Sequence, residues 1–132
     1  MSPNTSPLYP SADHTAIIRW LVFMAVMVAL MVVIGGVTRL TGSGLSMVEW
    51  RPIMGTLPPL NEGEWLRVFT LYQASPEFQE INSDMDIAGF KWIFFWEYFH
   101  RLWGRLLGFC FFIPLVYFWL RGRIPASYKL PL

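Results

Sequence analysis

Trp20-Leu21-Val22-Phe23-Met24-Ala25-Val26-Met27-Val28-Ala29-Leu30-Met31-Val32-Val33-Ile34 contains no charged side chain, no hydroxyl and no amide. With its flanks, from about Ile17 to Val37, the run meets the roughly 20-residue requirement for a membrane-spanning helix, and it closes on Gly35-Gly36. It lacks the short apolar core and small-residue cleavage site of a secretory signal. Asp13 and His14 also precede Arg19 where a signal carries a basic segment, so the helix reads as retained. Composition points the same way: 55% hydrophobic, 17% aromatic and only 14% charged residues are unusual for a soluble domain and name the bilayer as solvent.

A second apolar segment follows. Ser83 and Asp86 have capping-box-like spacing, so a helix is predicted to begin near Ser83, with its membrane part over about 87–120. Such a helix has about 35 residues and is roughly 50 Å long, more than a hydrocarbon core of about 30 Å. Trp119, Arg121 and Arg123 anchor its far end. Glu97 and His100 then lie near the opposite membrane surface, from which Lys91 and Trp92 emerge, and Pro114 is placed to kink the deep half. Between the spans, Asn61 as N-cap and Glu64 three residues on announce a short helix from Glu62 to about Gln73. The expected fold is therefore an all-α integral membrane protein with two transmembrane helices and a long structured loop. It divides into an N-terminal tail over 1–16, its Pro- and Ser-containing part disordered, a first span over about 17–37, a loop over about 38–86, a second span over about 87–120, and a connection from 125 to 132. No internal repeat is evident.

The loop carries Arg39, Arg51, Arg67 and Lys91 but is outnumbered in acids. The flanks beyond the spans hold Arg19, Arg121, Arg123 and Lys129 against Asp13 alone. The positive-inside rule puts both termini on the cytoplasmic or matrix side and the loop in the other compartment. A formal net charge of +1 gives no basis for a nucleic-acid partner. Cys110, the single cysteine, lies in an apolar run and reads as a small packing residue.

Chemistry is concentrated in Glu97-Tyr98-Phe99-His100-Arg101, because ionisable side chains inside a membrane helix are costly and seldom without a job. Glu97, His100 and Arg101 share one face, continued by Gly104, Arg105 and Gly108. A histidine with glycines at i+4 and i+8 is what a helix needs if a flat metalloporphyrin is to lie against it, and arginines one turn apart suit its propionates. Plainer readings stand beside this: Gly104-x-x-x-Gly108 as a helix-packing face, Glu97 with Arg101 as an interfacial ion pair, and His100 as a hydrogen-bonding residue. The stripe Met24, Met27, Met31 reads as packing, with no His or Cys nearby to make a soft-metal site. Thr41-Gly42-Ser43-Gly44-Leu45-Ser46 offers backbone N–H groups to an anion but matches no phosphate loop, and a turn leaving the membrane explains it.

The blocks Gly35–Pro52, Gly55–Leu60 and Trp96-Glu97-Tyr98-Phe99-His100-Arg101-Leu102-Trp103-Gly104-Arg105 together closely resemble the start of the heme A synthase family, over about Ile17 to Ile124. The flavour is that of the proteobacterial and mitochondrial branch, without the loop cysteine pair of some other bacterial members. The resemblance implies a membrane oxidoreductase that converts heme O to heme A for cytochrome oxidase. It does so by hydroxylating a porphyrin methyl group twice, and the gem-diol loses water to leave a formyl group. It implies Glu97 as the catalytic residue and His100 as an axial ligand of the substrate heme iron. To these, charge and position add Arg39, Arg101 and Arg105 as propionate partners. A heme b in the other half of the molecule is expected to take the electrons. Expected partners are heme O, the lipid bilayer, the C-terminal helices of the same protein, heme O synthase and an oxidase assembly complex.

Members of that family have eight membrane helices in two related four-helix halves, whereas this sequence stops about where a third helix is due. The expectation is an N-terminal piece, inactive alone, in a bacterial inner membrane or alternatively the mitochondrial inner membrane. The short stretch ahead of the first helix argues against a long transit peptide. The alternative function is a non-catalytic two-helix membrane protein that binds a partner, or heme, through its glycine face.

Overall fold

The computed structural model describes residues 12–49 and 57–124, and among these every regular element is a helix: α1 (Ala12–Leu40), α2 (Glu62–Gln73), α3 (Pro76–Glu80) and α4 (Ile87–Leu120). The expectations for Met1–Pro10 and for the connection after Ile124 fall outside the described residues. Both α1 and α4 are long and apolar enough to cross a membrane, and much of their apolar surface faces outward, as at Val32 (70% exposed) and Phe112 (63%). Apolar residues all round a helix suit a lipid environment, where no polar face is required.

α1 outruns its apolar stretch at both ends. Residues 12–16, assigned above to the tail, are helical, because no Pro or Gly after Pro10 interrupts them and extending a formed helix is cheap. Gly35 and Gly36 weaken the helix by about 1 kcal/mol each relative to alanine but do not stop it. The stop comes at Gly42, whose φ of 62° is the left-handed conformation of a helix C-terminus. There the Gly42 N–H donates to the Arg39 carbonyl (3.2 Å) and the Ser43 N–H to the Thr38 carbonyl (2.9 Å), closing the last turn as a Schellman motif.

α2 has the bounds and cap read from the sequence: the Asn61 side chain accepts from the Glu64 N–H at 2.8 Å. α4 corrects the expected start near Ser83. It begins at Ile87, because Asp86 is the residue whose carboxylate accepts from the Gly89 N–H (2.8 Å), while Ser83 sits in a turn. The short α3 was not foreseen, although Ser75 as N-cap followed by Pro76 is a readable start signal. α4 continues through Pro114.

The chain falls into two compact units, each drawing on both long helices. In the unit of residues 30–105, Tyr72, Phe90, Ile93 and Phe94 form a buried core, with Trp65, Phe69 and Phe78 packed on it. Tyr72 stacks on Phe90 with centroids 5.1 Å apart, and Phe78 meets Tyr72 edge-on at 5.6 Å. Each such buried aromatic contributes roughly 1.5–3 kcal/mol. The Tyr72 hydroxyl accepts from the Asn82 amide (2.8 Å), and burial raises its pKa above the ordinary tyrosine value. α2 thus covers the first turns of α4.

In the other unit, Pro114 has no N–H to give the carbonyl four residues back, that of Cys110. The Trp20 indole N–H donates to that carbonyl instead, at 2.9 Å, while its ring lies 5.5 Å from Phe111 and 5.7 Å from Phe118. Arg121 and Arg123 lie over the Tyr117 ring where α4 ends.

Candidate functional site

The end of α1 is what builds the site in the unit of residues 30–105. The turn at Gly42 sends the chain back so that Ser43 and Ser46, 0% and 2% exposed, are buried. The Thr41 and Ser43 hydroxyls bond each other, and Ser46 reaches α4.

Glu97 is 3% exposed. Its Oε2 accepts from the Ser46 hydroxyl at 2.7 Å and from the Met47 backbone N–H at 2.8 Å; its Oε1 accepts from Arg101 Nη2 at 2.5 Å. The plainer alternative reading of the sequence supplied the Glu97–Arg101 pair, from i, i+4 spacing. It did not anticipate Ser46 or Met47, because their partner is fifty positions away and the turn alone gives no direction. One Arg101 nitrogen is committed to Glu97, so this arginine has a role besides the one expected of it toward a propionate.

His100 stands one turn on, against α1. A Cβ built on Gly35 would lie 3.4 Å from His100 Nε2 and 3.9 Å from Cε1, an ordinary contact, so the imidazole occupies the space that a side chain longer than a methyl would need there. One turn further, Gly104 faces Met31, whose Cε is 3.4 Å from the corresponding Cβ position. The Thr38 hydroxyl donates to the Ile34 carbonyl (2.9 Å) and approaches the Trp96 carbonyl (3.4 Å). Partner numbers rise on α4 as they fall on α1, so these segments pack antiparallel, through glycine and small polar positions that allow close approach. Met31 is therefore a packing residue here, and Met24 and Met27 in the other unit are buried, 7% exposed each.

Arg105, one turn beyond Arg101, has a buried Nη1 with no hydrogen-bond partner among the described residues, and the buried Trp96 Nε1 likewise has none. An unpaired guanidinium N–H in an apolar setting is costly and suits an anionic group supplied from outside the segment. Arg39 is exposed in the last turn of α1 and shares no bond with Glu97 or His100. No group of three or more His, Cys, Asp or Glu capable of holding a bare metal ion occurs among the described residues. A single imidazole with a facing glycine suits iron that arrives already held by a porphyrin.

On the loop side of Ser46 is a cavity of about 280 Å³ lined by Ser46, Met47, Glu49, Arg67, Val68 and Phe94 among others; neither Glu97 nor His100 lines it. Arg67 binds Glu49 and Glu64 at its rim, and these bonds raise the arginine pKa further.

Residues 18–132 match the family of cytochrome oxidase assembly proteins. The chain is 49% identical over 128 residues to the heme A synthase of Sphingopyxis alaskensis, covering 97% of this chain and 36% of that protein. It is 48% identical over 127 residues to the heme A synthase of Rhodospirillum centenum, 96% and 34% respectively. It is 54% identical over 117 residues to that of Beijerinckia indica, 89% and 33% respectively. The chain thus spans about a third of the length of the curated relatives it matches. No solved structure matches it.

Proposed function

The chain belongs to the family of cytochrome oxidase assembly proteins, and on that premise we propose that it supplies the Glu97 and His100 part of a heme A synthase acting on heme O. The observation that carries the reading is a buried carboxylate held by three donors, one helical turn from an imidazole seated on a glycine, in a helix apolar enough to cross a membrane.

His100 binds the substrate through its iron and so fixes the porphyrin. Glu97 stabilises positive charge that develops at a ring methyl as it is oxidised, or takes the proton released there. Each hydroxylation replaces a methyl C–H bond with a C–O bond to oxygen from water and releases two electrons and two protons; a heme b held outside this segment would accept the electrons one at a time. Arg105 offers its unpaired N–H to a propionate. Arg39 and the remaining donors of Arg101 are the other cations of suitable charge. The protein is a membrane protein, and the charge bias of the loop and flanks favours the Glu97 level facing away from the cytoplasm of a bacterial inner membrane.

The test is a chimera in which this chain replaces the matching third of the Sphingopyxis alaskensis enzyme, in cells that make heme O. Heme A is expected in chromatographed extracts, and His100→Ala should leave membrane insertion intact while heme O is no longer retained. Unchanged heme O retention and axial-ligand spectra in His100→Ala would falsify the ligand role.

A further inference from the structure

We propose that Ser46 is the positioning residue for Glu97, setting the direction in which the carboxylate acts; this rests on the heme A synthase reading above. A carboxylate offers about four lone-pair positions. Ser46, Met47 and Arg101 occupy three of them, two on Oε2 and one on Oε1. The position left open is the one available to a developing positive charge or a proton.

Of the three donors, Ser46 is the one whose loss changes this arrangement most selectively. The Met47 N–H is main chain and survives substitution. Arg101 is on the same helix as Glu97, so it follows any movement of α4 and fixes no outside reference. Ser46 comes from the loop, is 2% exposed, and is tethered by its own N–H, which donates to the Ser43 carbonyl at 3.3 Å, next to the turn that Gly42 makes possible. Its hydroxyl has one proton. The carboxylate at 2.7 Å competes for it with the Ser43 carbonyl at 3.0 Å, and the shorter, charged acceptor wins, so the proton points at Glu97. Remove it, and Oε2 is held by the Met47 N–H alone while Arg101 keeps Oε1, so the carboxylate loses its one side-chain tie to the loop and a second acceptor position opens.

The test uses the full chain in lipid nanodiscs with ¹³C-labelled glutamate, the Glu97 carboxylate stretch being assigned by its loss in Glu97→Gln. Ser46→Ala is expected to shift and broaden that infrared band, and Ser46→Thr, which keeps the hydroxyl, to restore it. In the chimera, Ser46→Ala is expected to lower heme A formed per heme O bound by roughly 10- to 100-fold, with heme O retention unchanged and recovery in Ser46→Thr. If Ser46→Ala fails to accumulate, Ser46→Cys keeps the size, weakens the donor and carries the same comparison. An unmoved band in Ser46→Ala, or undiminished product, overturns the proposal. A shifted band together with heme O retention that ignores His100 keeps Ser46 as the group orienting Glu97 and overturns the catalytic reading instead.

Discussion

Glu97 has two separable jobs, tying the loop to α4 and offering charge. Glu97→Gln tells them apart: the amide oxygen still accepts from Ser46 and the Met47 N–H, but the amide NH2 that replaces the other oxygen is a donor and loses the bond from Arg101. Hydrogen bonds to charged groups are worth roughly 1.5–3 kcal/mol against about 1 kcal/mol for neutral ones. The variant is therefore expected to lose about 1.5–3 kcal/mol of stability, retain heme O, and convert far less of it. Chromatography of heme extracts reads the conversion, and heme A at the normal level would reduce Glu97 to the structural ion pair. Gly35 probes His100 from the other helix. A methyl there meets the imidazole at 3.4 Å, an ordinary contact, so Gly35→Ala is expected to bind hemin as the parent chain does. Gly35→Leu fills the ring's space and is expected to weaken binding in a spectral titration; equal affinity in both would show that the ring does not need that space.

At the scale of elements, α4 depends on α1 at the point where its own hydrogen bonding fails. Pro114 leaves the Cys110 carbonyl without its helical donor, and Trp20 supplies one. Trp20→Phe keeps the stacking on Phe111 and removes the N–H, which should cost roughly 1–3 kcal/mol for an unsatisfied carbonyl in apolar surroundings. In a Pro114→Ala background the backbone N–H returns, and the cost of Trp20→Phe should shrink toward zero. The cycle is measured by denaturation in mixed micelles; equal costs in both backgrounds would show that Trp20 acts through its ring alone. α2 is the opposite case, a helix whose start depends on local chemistry, and there Asn61→Ala should cost about 1 kcal/mol.

At the scale of the whole molecule, the charge bias predicts that α2 and the end of α4 lie on opposite sides of the membrane. With Cys110→Ser as background, Glu62→Cys should react with a membrane-impermeant thiol reagent in intact bacterial cells and Arg123→Cys should not. Label at Arg123→Cys instead would invert the orientation and move the Glu97 level to the cytoplasmic face. What the sequence determined by itself is whatever rests on short-range physics. The apolar run Trp20–Ile34 requires a span, Asn61 with Glu64 starts α2, and i, i+4 spacing brings Arg101 to Glu97, all through residues within one or a few turns. Local signals also misled in one place: both Ser83 and Asp86 are competent caps, and which one is used depends on where the core of Tyr72, Phe90, Ile93 and Phe94 seats α4. Only the tertiary structure decided what the polar residues of the membrane helix meet. That Ser46 and Met47 hold Glu97, that His100 rests on Gly35, and that Trp20 repairs the gap at Pro114 depend on the packing of segments fifty to ninety residues apart. Side-chain type and spacing show that a buried carboxylate, an imidazole or an orphaned carbonyl needs a partner; only the path of the chain in space determines which one it gets.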